Sequence, residues 1–143
     1  MADVLTRTRP TIGVILDNVA GESRSSLWPG IADTVHAHGG NLLCFTGGYL
    51  HDPHDFTLRG NIIYEMIDRH ALDGLIVWTS SLSSYVGHES IARFCARYRP
   101  LPMVSIGVVL ENIPSIVLDS YQGMRDALIH LITVHHRQRV VFI

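Results

Sequence analysis

A repeated exchange between two apolar rhythms narrows the fold of this chain most. Thr11-Ile-Gly-Val-Ile-Leu16 is an almost unbroken apolar run, rich in β-branched residues. Such a run suits a strand buried on both faces, as in a parallel sheet. A polar loop follows, Asp17 to Ser26, and then Leu27, Trp28, Ile31 and Val35 recur at helical spacing. Ser26 stands where a helix cap belongs, and Pro29 is tolerated in a first turn. Gly39 and Gly40 end the helix.

The exchange then repeats. Asn41-Leu-Leu-Cys-Phe45, Leu75-Ile-Val-Trp78, Met103-Val-Ser-Ile106 and Ser115-Ile-Val-Leu118 read as four further strands. Helical stripes lie between or after them: Ile62, Ile63, Met66 and Ile67; Ile91, Phe94, Cys95 and Tyr98; and Met124, Ala127, Leu128, Leu131 and Ile132. Residues 79–87 read as a hydroxyl-rich loop, and 107–114 as a connection without a helix. Val140-Val-Phe-Ile143 is a sixth apolar run, expected as a strand in which the chain stops, the mark of a fragment or truncation.

Strands alternating with helices predict an α/β fold, a parallel sheet with helices on both faces. With right-handed crossovers this becomes a three-layer, doubly wound, flavodoxin-like sheet. Ligands of such sheets bind beyond the carboxyl ends of the strands. Those ends are the loops at Asp17–Ser26, Thr46–Tyr49, Thr79–Tyr85, Gly107 and Asp119–Gln122.

Composition removes several function classes. At 143 residues, with 47% hydrophobic and 17% charged residues, the chain suits one globular domain. All eleven cationic residues are arginine, which excludes a Schiff-base lysine and a P-loop lysine. The missing lysine also argues against a response-regulator receiver, as does Thr79 where an aspartate would stand. The first loop has only Gly21, short of a dinucleotide fingerprint, and no Gly-x-Ser-x-Gly string occurs. No catalytic role is therefore expected. A net charge of −2 without a basic stripe makes direct nucleic-acid binding unexpected. No apolar run is long enough to span a bilayer, and the first ten residues lack a secretory core, so the cytoplasm is the expected location. Cys44 and Cys95 read as small buried apolar residues on a strand and a helix.

Taken in order, several segments resemble a known family. They are Thr11-Ile-Gly-Val-Ile-Leu-Asp17, Gly30-Ile31, Asn41-Leu-Leu-Cys-Phe45, Asp73-Gly-Leu-Ile-Val77, Pro102-Met-Val-Ser-Ile106, Ile113-Pro-Ser-Ile-Val-Leu-Asp119 with Gly123, and His135-His136 with Arg139-Val-Val-Phe-Ile143. The series resembles the effector-binding core of LacI/GalR-type regulators, relatives of periplasmic sugar-binding proteins. No single piece is specific; the ordered series is. The resemblance implies a two-lobe fold with a ligand held between the lobes. On that basis 1–10 form a leader, 11–136 the first lobe, and 137–143 the first strand of a second lobe. Regulators of the family carry an N-terminal helix-turn-helix, and only ten residues precede the first strand here. The segment Arg93 to Gly107 is also similar to sensor domains fused to bacterial signalling modules, so a fused or partner output module is expected.

Candidate site residues carry two readings each. Asp17 either accepts hydrogen bonds from ligand hydroxyls or caps the turn after the first strand. Ser25 and Ser26 offer a helix N-terminus to a polar ligand or simply cap it. Trp28 stacks on a sugar ring or belongs to the core. Thr79, Ser80, Ser81, Ser83, Ser84 and Tyr85 suit a polyol or nucleoside, or form an ordinary solvated loop. Asp119 binds ligand or caps the last helix. His51, Asp52, His54 and Asp55 read as a solvated loop rather than a metal site, and His135-His136 as a helix end where imidazolium suits the dipole. No metal or cofactor is expected. The ligand expected is a small polar molecule of the sugar or nucleoside class. The rival expectation is a ligand-incompetent lobe that self-associates as an interaction module.

Overall fold

The computed structural model describes residues 9–18, 27–53 and 59–141. Five strands form one sheet: β1 (Thr11–Leu16), β2 (Asn41–Thr46), β3 (Gly74–Val77), β4 (Met103–Ile106) and β5 (Ser115–Ile116). The helices are α1 (Leu27–Ala37), α2 (Ile62–Glu65), α3 (Thr79–Leu82), α4 (His88–Ala96) and α5 (Ser120–Thr133). The spatial order is β2-β1-β3-β4-β5, and all four pairings are parallel. This is the flavodoxin-like doubly wound order, so the α/β expectation holds.

Register explains the two faces. Val14 pairs with Cys44 and Ile76, and Ile15 with Phe45 and Val77. Side chains alternate along a strand, so these two rows point to opposite sides of the sheet. The Ile15 side meets the larger core, built from Leu75, Val77, Tyr64 of α2, Leu82 of α3, and Ile91, Phe94 and Cys95 of α4. The Val14 side holds Leu16 and Trp78, packed against Trp28 and Ile31 of α1. Helices thus lie on both faces, as three layers require. Each fully buried aliphatic side chain here contributes about 1.5–3 kcal/mol.

Three expectations change. The hydroxyl-rich loop begins with a helical turn, α3. Its Ser81 Oγ donates to the Trp78 carbonyl at 3.3 Å, and Leu82 is completely buried. The hydroxyls satisfy backbone carbonyls locally, while Leu82 anchors the turn to the core. The helical stripe at 62–67 shortens to the four residues of α2.

The third change concerns α5. It forms where the periodicity places it, yet none of its residues is buried. Met124, Leu128, Ile129 and Ile132 all stand exposed. Periodicity shows that a helix owns an apolar face; it does not supply the surface that covers it. Val140 and Val141 lie exposed outside the sheet, and the rest of that sixth run falls outside the described residues.

Candidate cleft at the carboxyl ends of the first two strands

Asp17 directly follows β1 and is only 5% exposed. Asn18 Nδ2 donates to its Oδ2 at 3.1 Å. Beside it, the chain leaving β2 turns through Gly47 and Gly48. These residues, with Tyr49, Arg59 and Gly60, line a cleft of about 550 Å³. That volume lies within the range of small-molecule sites.

A tyrosine from below holds the cleft floor. Tyr64 of α2 is 2% exposed, and its hydroxyl sits under the two glycines. The backbone N–H groups of Gly47 and Gly48 donate to it at 3.1 and 2.9 Å. Its single proton faces two carbonyls, Leu16 and Gly48, each at 3.0 Å. One phenol therefore joins the end of β1 to the β2 loop. Burial pushes the phenol above its ordinary value; the Gly48 and Gly47 amides pull the other way, and the Asp17 charge adds to the rise. It stays protonated and keeps its donor. A Cβ on Gly47 would lie 2.6 Å from Tyr64 Cζ, so only glycine lets the backbone come this close. Asn61 Nδ2 donates to the Tyr49 carbonyl at 2.8 Å, and Leu50 N–H to the Leu82 carbonyl at 3.0 Å. These bonds fix the remainder of the loop.

The expected residues separate into distinct places. Asp17 lines the cleft. Tyr85, 49% exposed, meets Tyr49 edge to face, with ring centroids 5.6 Å apart, so it stands next to a lining residue. Ser80 is exposed and lies against Gly107. Ser83 and Ser84 back-bond to the Ser80 and Ser81 carbonyls.

Thr79 is completely buried and does not face the cleft. Its Oγ1 lies 2.7 Å from Ser105 Oγ, donates to the Ile106 carbonyl at 2.8 Å, and accepts from Val108 N–H at 3.1 Å. The hydroxyl is committed to holding β3 against the turn after β4. Trp28 packs on the smaller core rather than the cleft. Asp119 Oδ1 accepts from Gln122 N–H at 2.8 Å and caps α5, far along the chain from the cleft residues. Ser25 and Ser26 lie outside the described residues. Asp52 is buried and His51 exposed, while His54 and Asp55 fall outside the described residues.

Sequence reasoning did not single out Asn18, Tyr49, Arg59 or Tyr64. The glycine pair immediately after β2 was the available signal, because two glycines at a strand's carboxyl end mark a close backbone approach. Tyr64 carries no such signal; it reads as one more apolar helix position.

The donor set is mixed. Asp17 supplies an acceptor, Asn18 both kinds of group, Arg59 a fork of donors, and Tyr49 a phenol on an aromatic plane. This set can both donate to and accept from a single small molecule. No helix among the described residues is long and apolar enough to cross a membrane.

No family model matches the chain, and no curated protein matches it. Two solved structures are similar in fold. One is a transcriptional regulator of the LacI family from Burkholderia phymatum, at 19% identity and a TM-score of 0.61, covering 85% of this chain and 42% of that one. The other is the transcription regulator CcpA of Lactococcus lactis, at 19% identity and a TM-score of 0.57, covering 84% of this chain and 42% of that one. The chain thus spans less than half the length of either regulator. The likeness is one of fold: the chain shares the parallel α/β architecture of part of each regulator.

Proposed function

We propose that this chain is a non-catalytic sensing lobe for a small polar molecule of the sugar or nucleoside class. The cleft beyond β1 and β2 carries this reading: Asp17 stands there beside Asn18, Tyr49 and Arg59 on a floor of two glycines. Carboxylate and guanidinium on one small cleft can accept from and donate to the same polyhydroxyl ligand. The position agrees with the rule that open α/β sheets bind ligands at strand carboxyl ends. The two regulators of similar fold support a regulatory setting, and the cytoplasm is the location that goes with this reading. Binding would act by favouring a closed arrangement in which a second lobe completes the site, biasing a fused or partner output module.

Isothermal titration of the chain against a panel of sugars and nucleosides tests the reading. One class should bind, and Asp17→Asn should weaken it roughly tenfold or more, the loss of a charge-assisted hydrogen bond. If the panel gives no heat, the chain by itself is a ligand-incompetent lobe; if Asp17→Asn leaves the affinity unchanged, Asp17 does not hold the ligand.

A specific observation favours the rival reading of a self-associating interaction module. Helix α5 presents Met124, Leu128 and Ile132 to solvent on one face. A second copy can cover that face. Light scattering should then give twice the 15.9 kDa chain mass, and Leu128→Glu with Ile132→Glu should return the monomer. A monomeric wild-type chain at high concentration removes this reading.

A further inference from the structure

Helix α5 ends in an unusual way. Its cap residue Val134 is helical, and Val134 N–H donates to the His130 carbonyl at 2.9 Å. Two residues on, His136 takes a positive φ of 50°. That is the left-handed region that glycine usually fills at a helix end. Arg137 N–H then donates back to the Leu131 carbonyl at 3.0 Å. His135, just before this reversal, stays over the last helical turn, its N–H donating to the His130 carbonyl at 3.4 Å. Its ring meets His130 edge to face at 4.8 Å, with the two Nε2 atoms 3.1 Å apart.

The contact joins the two imidazole nitrogens directly, with donor and acceptor roles set by the tautomers. The negative end of the helix favours a cation at this place.

We propose that His130 and His135 form a binding site for one divalent transition-metal ion that prefers imidazole, such as zinc. Zinc–imidazole bonds are about 2.0–2.1 Å long, and two nitrogens 3.1 Å apart then subtend roughly 100° at the ion. That angle is close to tetrahedral. The pair is thus already spaced as two cis ligands, and a turn of roughly 40° of each ring from a linear contact aims both lone pairs at one point. To ligate through Nε2, each ring binds as the neutral tautomer that carries its proton on Nδ1. No group of three or more His, Cys, Asp or Glu residues able to hold a metal occurs among the described residues. The ion's other positions go to water, so the site is open and exchangeable rather than a structural closed one.

This site lies on a different element from the cleft and stands independently of the ligand proposal. Bound metal would also clip residue 135 to the helix and hold the turn at His136, fixing the direction in which the chain leaves α5.

Zinc titration by calorimetry at pH 7.5, with imidazole nitrogen shifts followed by NMR, is the test. The wild-type chain should take up one zinc ion, with the His130 and His135 Nε2 signals shifting together. His130→Gln and His135→Gln should each weaken uptake roughly tenfold or more, since each leaves a single ligand. His38→Gln, whose Nδ1 contacts the Thr34 carbonyl, should leave uptake unchanged. Circular dichroism reports whether each variant keeps its helices, and the NMR shifts in the wild type do not depend on the variants. Zinc uptake insensitive to both substitutions, or shifts confined to other histidines, overturns the proposal.

Discussion

Tyr64→Phe should lower the unfolding free energy by about 3 kcal/mol, because one buried oxygen serves four backbone groups. The change keeps the ring and its packing, including the edge-to-face contact with Phe94 at 5.6 Å. It removes the acceptor for the Gly47 and Gly48 amides and the donor facing the Leu16 and Gly48 carbonyls. The cost comes from desolvated groups left behind, not from the lost bond alone. Urea unfolding of both proteins measures it. The loss should fall on the cleft as well, so amide exchange at residues 47–49 should speed up more than exchange in α4. A loss under about 1 kcal/mol would mean that water replaces the hydroxyl beneath the glycines.

Gly107→Ala should cost a similar amount, about 3 kcal/mol, for two separable reasons. Gly107 has a φ of 96°, which L side chains rarely adopt, and a Cβ there would run into Ser80 Oγ and Cβ. The turn cannot yield easily, because Gly107 N–H donates to the Ile116 carbonyl at 2.8 Å, and the next residue is held by Thr79. Ser80→Gly in the Gly107→Ala background should recover the steric part and leave the backbone part. Thermal or urea unfolding of the four proteins in this cycle separates the two. Full recovery would show that the positive φ costs nothing here.

Thr79 shows why hydroxyls were hard to assign. Six hydroxyl residues follow β3 or stand near it, and in sequence they look interchangeable. The deciding fact is that Ser105 lies opposite on β4 and Val108 on the next turn, 26 and 29 residues away. Only their proximity turns Thr79 inward and leaves Ser80 at the surface. Tyr64 is a similar case, since its partners at Leu16 and Gly48 are 48 and 16 residues distant. The place of Asp17 on the cleft was legible because it depends on one local fact, its position just after a buried strand. The reactivity of the cysteines follows the same division. A buried helix position was readable for Cys95, and that burial pushes its thiol up to about 11, away from nucleophilic use.

By itself, the sequence determined the class of this protein. Unbroken β-branched runs demand a sheet covered on both faces, and the stripes between them supply the covering helices. The order of these elements then leaves few topologies. The chemistry it lacks, lysine and the glycine and serine motifs, followed from the residues alone. Tertiary structure decided which hydroxyls are turned inward and which reach the surface, since a hydroxyl or phenol is spent according to partners distant in sequence. It also decided that α5, amphipathic in sequence, keeps its apolar face exposed among the described residues, because periodicity encodes a face and only packing covers it.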